Sequence, residues 1–164
     1  MKEDFNPKRN NEECEKMIKN TFHGVLVFAN DNEPYAIPIN HGYKDGSFYF
    51  HCAVTGKKLD FIRKNPRVSY IISKYFGKPE DHAKSMKCHG CWESLIIYGT
   101  AKIIEEREEH KQAFKIFMEY YGNSKFEPSA NVYATTRIIK VTVEKMTARR
   151  EGDDKKTEYF LWEK

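Results

Sequence analysis

Tyr43-Lys44-Asp45-Gly46-Ser47-Phe48-Tyr49-Phe50-His51-Cys52-Ala53-Val54-Thr55-Gly56-Lys57-Lys58-Leu59-Asp60-Phe61-Ile62 holds a turn, a strand and a helix start in unbroken succession. Asp45-Gly46 between aromatic residues signals a tight hairpin, because both central positions of such a turn need positive φ. In the strand that follows, Tyr49 and His51 share one face while Phe48 and Phe50 point the other way. Beyond it, Leu59 and Ile62 take helical spacing up to the stop Asn65-Pro66, and Thr55 is placed to cap that helix. Lys57 and Lys58 then lie in the first turn, where the helix end already carries partial positive charge and repels each cation by roughly 0.3–1 kcal/mol. A phosphate there would be held by free backbone N–H groups and by both ammonium groups. The pair therefore predicts a bound anion; the plainer alternative is a solvated pair that flanks a helix. Glu105-Glu106-Arg107-Glu108-Glu109 shows the ordinary arrangement, with acids crowding a helix start.

Working outward, Gly24–Phe28 and Tyr35–Ile39 read as strands joined through the turn-rich Asn30-Asp31-Asn32-Glu33-Pro34. Pro38 marks an edge, a bulge or a position whose N–H is not needed. Upstream, Cys14, Met17, Ile18 and Phe22 have helical spacing from 11 to 22, with Asn10 or Asn11 as cap. Downstream, Val68–Phe76 is rich in strand formers, Gly77–Gly90 reads as a loop or lid, and Trp92–Ile104 is a long strand bent at Gly99. A helix from 105 to 122 buries Ala113, Phe114, Phe117, Met118 and Tyr121. Arg137–Met146 alternates, with Ile139, Val141 and Val143 on one face. Six or seven antiparallel strands with helices near 56–65 and 105–122 predict a mainly β fold, an antiparallel barrel with peripheral helices, in a single domain over 1–164. The tail 147–164 carries Tyr159, Phe160, Leu161 and Trp162, to pack on its own barrel or on a neighbouring subunit.

A chain of 164 residues, 40% apolar, can bury one good core. Its 28 basic and 24 acidic residues are well mixed, for a net charge of +4, so no basic stripe predicts nucleic-acid binding. No stretch is long and apolar enough for a membrane span, and the polar Met1-Lys2-Glu3-Asp4 start predicts a cytoplasmic protein. Four cysteines in such a chain predict reduced thiols. Cys88-His89-Gly90-Cys91 has the spacing of a redox dithiol or of half a zinc knuckle, and without a second spaced pair no metal site is expected. No phosphate-binding glycine loop, dinucleotide fingerprint or nucleophile elbow is present. Asn40 offers a donor and an acceptor, which suits a flat heteroaromatic ring, while Asn40-His41 can equally be a turn. His51 could reach the anion beside the lysines, or be a strand-end imidazole bonded to backbone.

The ordered series Pro34-Tyr35-Ala36-Ile37-Pro38-Ile39-Asn40, Gly42-Tyr43, Asp45-Gly46, Phe48-Tyr49-Phe50-His51, Gly56-Lys57-Lys58-Leu59-Asp60 and Asn65-Pro66-Arg67-Val68 resembles the FMN-binding split-barrel family. It is most similar to the branch of 5-nitroimidazole-resistance proteins, relatives of pyridoxamine 5′-phosphate oxidase. The resemblance runs from Gly24 to Ile104 and includes the Ser94 strand, departing at Trp92-Glu93 where many relatives place Tyr-Arg. It implies a six-stranded split β-barrel that dimerises with two FMN molecules at the interface. By carry-over, His51, Lys57 and Lys58 hold the flavin phosphate, Pro38, Ile39 and Asn40 line the isoalloxazine, and Ser94 completes the polar shell. The implied activity is an oxidoreductase passing electrons from a reduced nicotinamide to a small acceptor such as a nitroaromatic. The alternative is a non-catalytic flavin or haem carrier or sensor, with His41, His51 and His89 as candidate axial ligands.

Overall fold

Turn chemistry sets the hairpins. In the computed structural model, which describes residues 8–76, 91–151 and 157–163, Asp45 and Gly46 have φ of 48° and 70°, and Asp31 and Asn32 have 49° and 63°. These are the left-handed pairs that two-residue hairpins need. The first turn joins β2 (His23–Asn30) to β3 (Glu33–Asn40), and the second joins β4 (Gly42–Lys44) to β5 (Ser47–Ala53). The remaining elements are β1 (Lys8–Arg9), α1 (Asn11–Lys19), α2 (Lys57–Lys64), β6 (Arg67–Tyr75), β7 (Trp92–Ile104), α3 (Arg107–Tyr120), α4 (Ala130–Thr135), β8 (Thr136–Glu151) and β9 (Thr157–Glu163).

The strands form one sheet in the order β1-β9-β8-β7-β6-β2-β3, with β5 paired to β4 and β8. All pairings are antiparallel except β1 with β9. The fold is the expected mainly β split barrel, an unclosed sheet with helices outside, although nine strands rather than six are found among the described residues. Two of the extra strands come from the ends of the chain. Met146 to Glu151 continues β8, and β9 pairs with it, so Phe160 and Trp162 of the tail lie buried in the chain's own core.

β8 carries two partners on one edge. Ser47–Ala53 of β5 pairs with Thr136–Thr142, and β9 pairs with Lys145–Glu151. Between them the β7–β8 register slips, from Tyr98↔Lys145 to Gly99↔Val143, and Glu144 is the extra residue. This is the bend that the glycine in β7 predicted. A Cβ on Gly99 would stand 2.3 Å from the Thr142 carbonyl oxygen, so the two backbones can approach this closely only at a glycine. The bulged Glu144 turns its carboxylate onto Arg67 Nη1 at 2.6 Å and Thr100 Oγ1 at 2.6 Å, tying β6, β7 and β8 together.

Alternation then sorts the side chains. The inner face holds Leu26, Phe28, Phe48, Phe50, Tyr70, Ile72, Leu95, Ile97, Val141 and Val143, and α1 packs Cys14, Met17 and Ile18 into the same core. Asn10 caps α1 by accepting from the Glu13 N–H at 3.1 Å. Phe22, expected on that helix's buried face, lies beyond its end and is exposed, its ring tilted against Tyr121 at 5.5 Å. A second core forms where α3 covers β5 and β8, from Tyr49, Ile104, Ala113, Phe114, Phe117 and Ile138. Met118 is half-buried and Tyr121 exposed, so the buried face of α3 is narrower than its spacing suggested, with His110 added to it. The loop or lid from 77 to 90, including Cys88 and His89, lies outside the described residues.

Replacing Gly99 by alanine is expected to cost about 2–3 kcal/mol, because the clash is with backbone and the bulge must reopen. Urea unfolding followed by circular dichroism measures this; a loss below about 0.5 kcal/mol would show that β7 and β8 can separate freely there.

Candidate functional site

α2 starts without a side-chain cap. Gly56, not Thr55, occupies the N-cap position, and no side chain bonds to the first turn. Gly56 has φ of 132°, a conformation that strains any residue with a Cβ, and the nearest atom to a Cβ built there is Lys58 Nζ at 4.0 Å. Space is therefore open over an uncapped helix start, with an ammonium at its rim. Lys57 lies to one side, its Nζ 2.6 Å from Glu33 Oε1 and above the rings of Tyr35 and Phe61 at 5.0 and 5.4 Å. Both partners are about half exposed, so this pair is worth roughly 0–1 kcal/mol and gives way readily to a stronger anion.

Arg137, which carried no signal in the sequence beyond its strand, belongs to the same neighbourhood. Its Cα is the register partner of Cys52 at the end of β5. Two carbonyls fix its guanidinium, Tyr133 at 2.8 Å and Thr136 at 2.9 Å, and it lies over the Tyr133 ring at 5.0 Å. Burial raises the Cys52 thiol pKa while the charges of Lys58 and Arg137 pull it back, which places both cations around that residue. His51 points the opposite way from Cys52, with its ring 4.8 Å from Phe117, and burial holds it below the ordinary imidazole range.

The other expected residues lie elsewhere on the chain. Pro38 and Asn40 are exposed on the outer face of β3, whereas Ile39 turns inward and packs against the core. Pro38 begins a cross-strand row that continues Val25, Ile71 and Ile96. Ser94, half-buried on the same outer face, lies one pleat further along β7, between Ser73 and Arg149. The structure thus brings Pro38, Asn40 and Ser94 onto one face and gathers the cations at α2. Lys57 meets β3 at Glu33, and Asn40 ends that strand seven residues on, about 23 Å away at ordinary strand rise.

A family model described as pyridoxamine 5′-phosphate oxidase matches residues 10–150. The chain belongs to the pyridoxamine 5′-phosphate oxidase family. Among solved structures it is similar to a candidate 5-nitroimidazole antibiotic resistance protein from Bacteroides thetaiotaomicron, 25% identical with a TM-score of 0.73, over 85% of this chain and 82% of that one. It also shares its fold with an FAD-binding protein from Mesorhizobium loti, 23% identical with a TM-score of 0.65, over 87% of this chain and 96% of that one. An FAD- and haem-binding protein from Mycobacterium smegmatis has the same fold at 10% identity, with a TM-score of 0.74, over 94% of this chain and 82% of that one. An uncharacterised protein of Rhizobium meliloti strain 1021 is 25% identical over 88 residues, which is 54% of this chain. The chain spans about half the length of that curated relative.

On the inner side of the sheet, this member of the pyridoxamine 5′-phosphate oxidase family holds a buried polar network. His41 has no exposed surface; Nδ1 lies 2.8 Å from the Tyr70 hydroxyl and Nε2 3.3 Å from the Tyr120 hydroxyl. Tyr120 gives its proton to the carbonyl of Ile18 at 2.6 Å or Thr21 at 2.9 Å, so its oxygen accepts from Nε2–H and Nδ1 accepts from Tyr70. Both nitrogens are engaged, so His41 is a structural joint between β3, β6, α1 and α3 rather than a free ligand. Burial raises the pKa of both tyrosines and lowers that of His41 to about 4, helped by His23.

The sign follows from proton binding. Between the unfolded value of 6.5 and about 4, the unfolded chain holds a proton that native His41 does not, so stability falls as pH drops through that window. From pH 7 to pH 4.5 this contributes a loss of about 2–3 kcal/mol, and a His41→Gln variant should lose that much less over the same interval. Parallel urea titrations at the two pH values measure the difference; equal losses would mean that His41 titrates normally.

Proposed function

We propose that the chain is an FMN-binding flavoprotein acting as an oxidoreductase, which takes electrons from a reduced nicotinamide and delivers them to a small acceptor of nitroaromatic type. One observation carries the cofactor reading: an uncapped helix start with open space above Gly56 and lysines at its rim, in a chain of the pyridoxamine 5′-phosphate oxidase family. The donor set fits a phosphate monoester, since backbone N–H groups, Lys57 and Lys58 all donate and the helix dipole adds to them. Arg137 lends positive charge from β8, and His51 stands on the α3 side of the same strand end. Pro38, Asn40 and Ser94 line the ring, with Asn40 supplying a donor and an acceptor to its polar edge, while the Ile39 side chain, turned into the core, offers only its backbone. The flavin, when bound, supplies the hydride and electron chemistry; the chain binds, orients and shields it.

A second copy of the chain completes this site. The lysine end and the Pro38–Ser94 face lie too far apart for one FMN to reach within a single chain, so one subunit holds the phosphate and its partner lines the ring. The outer face offers the contact. Val25, Ile71, Ile96 and Tyr98 form a patch on adjacent strands, each between 36% and 41% exposed, more apolar surface than a solitary sheet leaves to water. No helix among the described residues is long and apolar enough to cross a membrane. Cys14 and Cys52 are buried free thiols, in keeping with the cytoplasm as the working compartment. Haem binding has less support, because His41 is spent at both nitrogens.

Lys57→Ala combined with Lys58→Ala should weaken FMN binding about a hundredfold, from roughly 1.5 kcal/mol or more for each charge-assisted contact, with the circular dichroism spectrum unchanged. Quenching of flavin fluorescence reads the affinity, and equal quenching by the double variant would refute the phosphate site. Ile71→Glu with Ile96→Glu is expected to give a folded monomer by sedimentation velocity; a dimer that survives both charges would place the subunit contact elsewhere. Turnover of reduced nicotinamide with a panel of nitroaromatic acceptors separates an enzyme from a carrier.

A further inference from the structure

The outer sheet face carries one arginine that the site described above does not use. Arg149 is the register partner of Ser94 on one side and of Tyr159 on the other. Its guanidinium carbon lies 4.5 Å from the centre of the Trp92 ring, supplied by β7, and 5.8 Å from that of Tyr159, supplied by β9. Two aromatic rings from flanking strands thus fix the plane of the cation and strip water from it. Among the described residues its hydrogen bonds remain largely unspent. Nε is buried with no partner among the described residues, and the carboxylate of Glu151 meets Nη2 only at 3.4 Å. Charge-assisted bonds of this kind ordinarily close to about 2.7–2.9 Å. The side chain is still 43% exposed, so the terminal nitrogens face outward. Arg150 shows what a satisfied neighbour looks like: on the inner side it bonds to Glu13 at 2.8 Å and reaches Glu93 at 3.4 Å.

We propose that Arg149 is the receiving group of a binding site for the carboxylate or phosphate of a small ligand, on the outer face beside Ser94. A rigid, planar, partly desolvated fork with free donors matches a two-oxygen anion, and the hydroxyls of Ser94 and Ser73 continue the polar row for the remaining oxygens. If the flavin reading above also holds, this anion belongs to the molecule that exchanges electrons with the ring, and the site selects acidic over neutral substrates. The assignment itself stands without the flavin.

The test uses flavin-free, full-length protein. In a Trp162→Phe background Trp92 is the sole tryptophan, and its fluorescence is titrated with inorganic pyrophosphate and, separately, with malonate. Calorimetry on the unsubstituted protein repeats both titrations, which covers any loss of packing at Trp162. A saturable response to at least one anion is expected, and the tighter of the two names the ligand class. Arg149→Gln should weaken it at least tenfold without changing the circular dichroism spectrum, and Arg149→Lys should restore only part, since it keeps the charge and loses the fork. Absence of saturation with both anions, or equal affinity in Arg149→Gln, overturns the proposal. So does a tenfold weaker dimer in Arg149→Gln with no anion response, which would make Arg149 a subunit contact. FMN affinity of the same variant, measured separately, keeps a failure of the flavin site distinct from a failure of this one.

Discussion

The backbone of β8 is the constraint on which the rest depends. On one edge it pairs with β7 from Ile138 to Glu151, and on the other it serves β5 and then β9. Both partners run antiparallel to β8 and succeed one another along that edge, with the strand bent between them. The change is made at Glu144, where one extra residue bends the strand and the two backbones close up against Gly99. The Asp45-Gly46 turn sits at this junction: the Gly46 carbonyl accepts from the Val143 N–H at 3.0 Å, and the Trp162 ring lies 3.6 Å from where a Gly46 Cβ would stand. Hairpin tip, bulge and tail strand therefore define one another.

Splitting the sheet in this way decides where chemistry can occur. The half built on β5 and the start of β8 turns its outer side to α3 and is covered, so His51, on that side, meets Phe117. The half built on β3, β2, β6, β7 and β9 has no helix over its outer side among the described residues and carries Pro38, Asn40, Ser94 and Arg149 there. α2 connects the two halves, and its start projects at the far end of β3 from Asn40. In the proposed dimer, a ligand longer than either patch bridges two such surfaces, one from each subunit.

Local physics explains what was legible in the sequence. Both two-residue turns announced themselves because Asp, Asn and Gly tolerate positive φ, and Gly99 announced the bend because nothing larger fits. The helix at Lys57 could be read from spacing and from Asn65-Pro66, although its cap could not, since Thr55 satisfies the pattern and Gly56 satisfies the geometry. The second half of β8 and its pairing with β9 were hidden for a different reason. There the inner face carries Arg150, whose burial depends on Glu13 from α1 and Glu93 from β7, so strict polar alternation is lost. α4 was missed because six residues give too short a period to see. Arg137 and Arg149 owe their settings to register across the sheet, which one sequence does not display.

The way this chain caps its helices bears most directly on the candidate site. α1 spends Asn10 on its first turn, and α3 spends the Glu106 carboxylate on the N–H groups of Glu108 and Glu109. A side-chain cap of this sort is worth about 1 kcal/mol. Among the described helices of eight residues or more, α2 alone forgoes it, and the chain adds two lysines where acids would be favoured. Lys57 recovers something through Glu33 and the rings of Tyr35 and Phe61, but both lysines oppose the helix dipole, and the glycine at the cap raises the entropy lost on ordering the turn. An uncapped start on this one helix, where the other long described helices are capped, is the feature on which the proposed phosphate site rests.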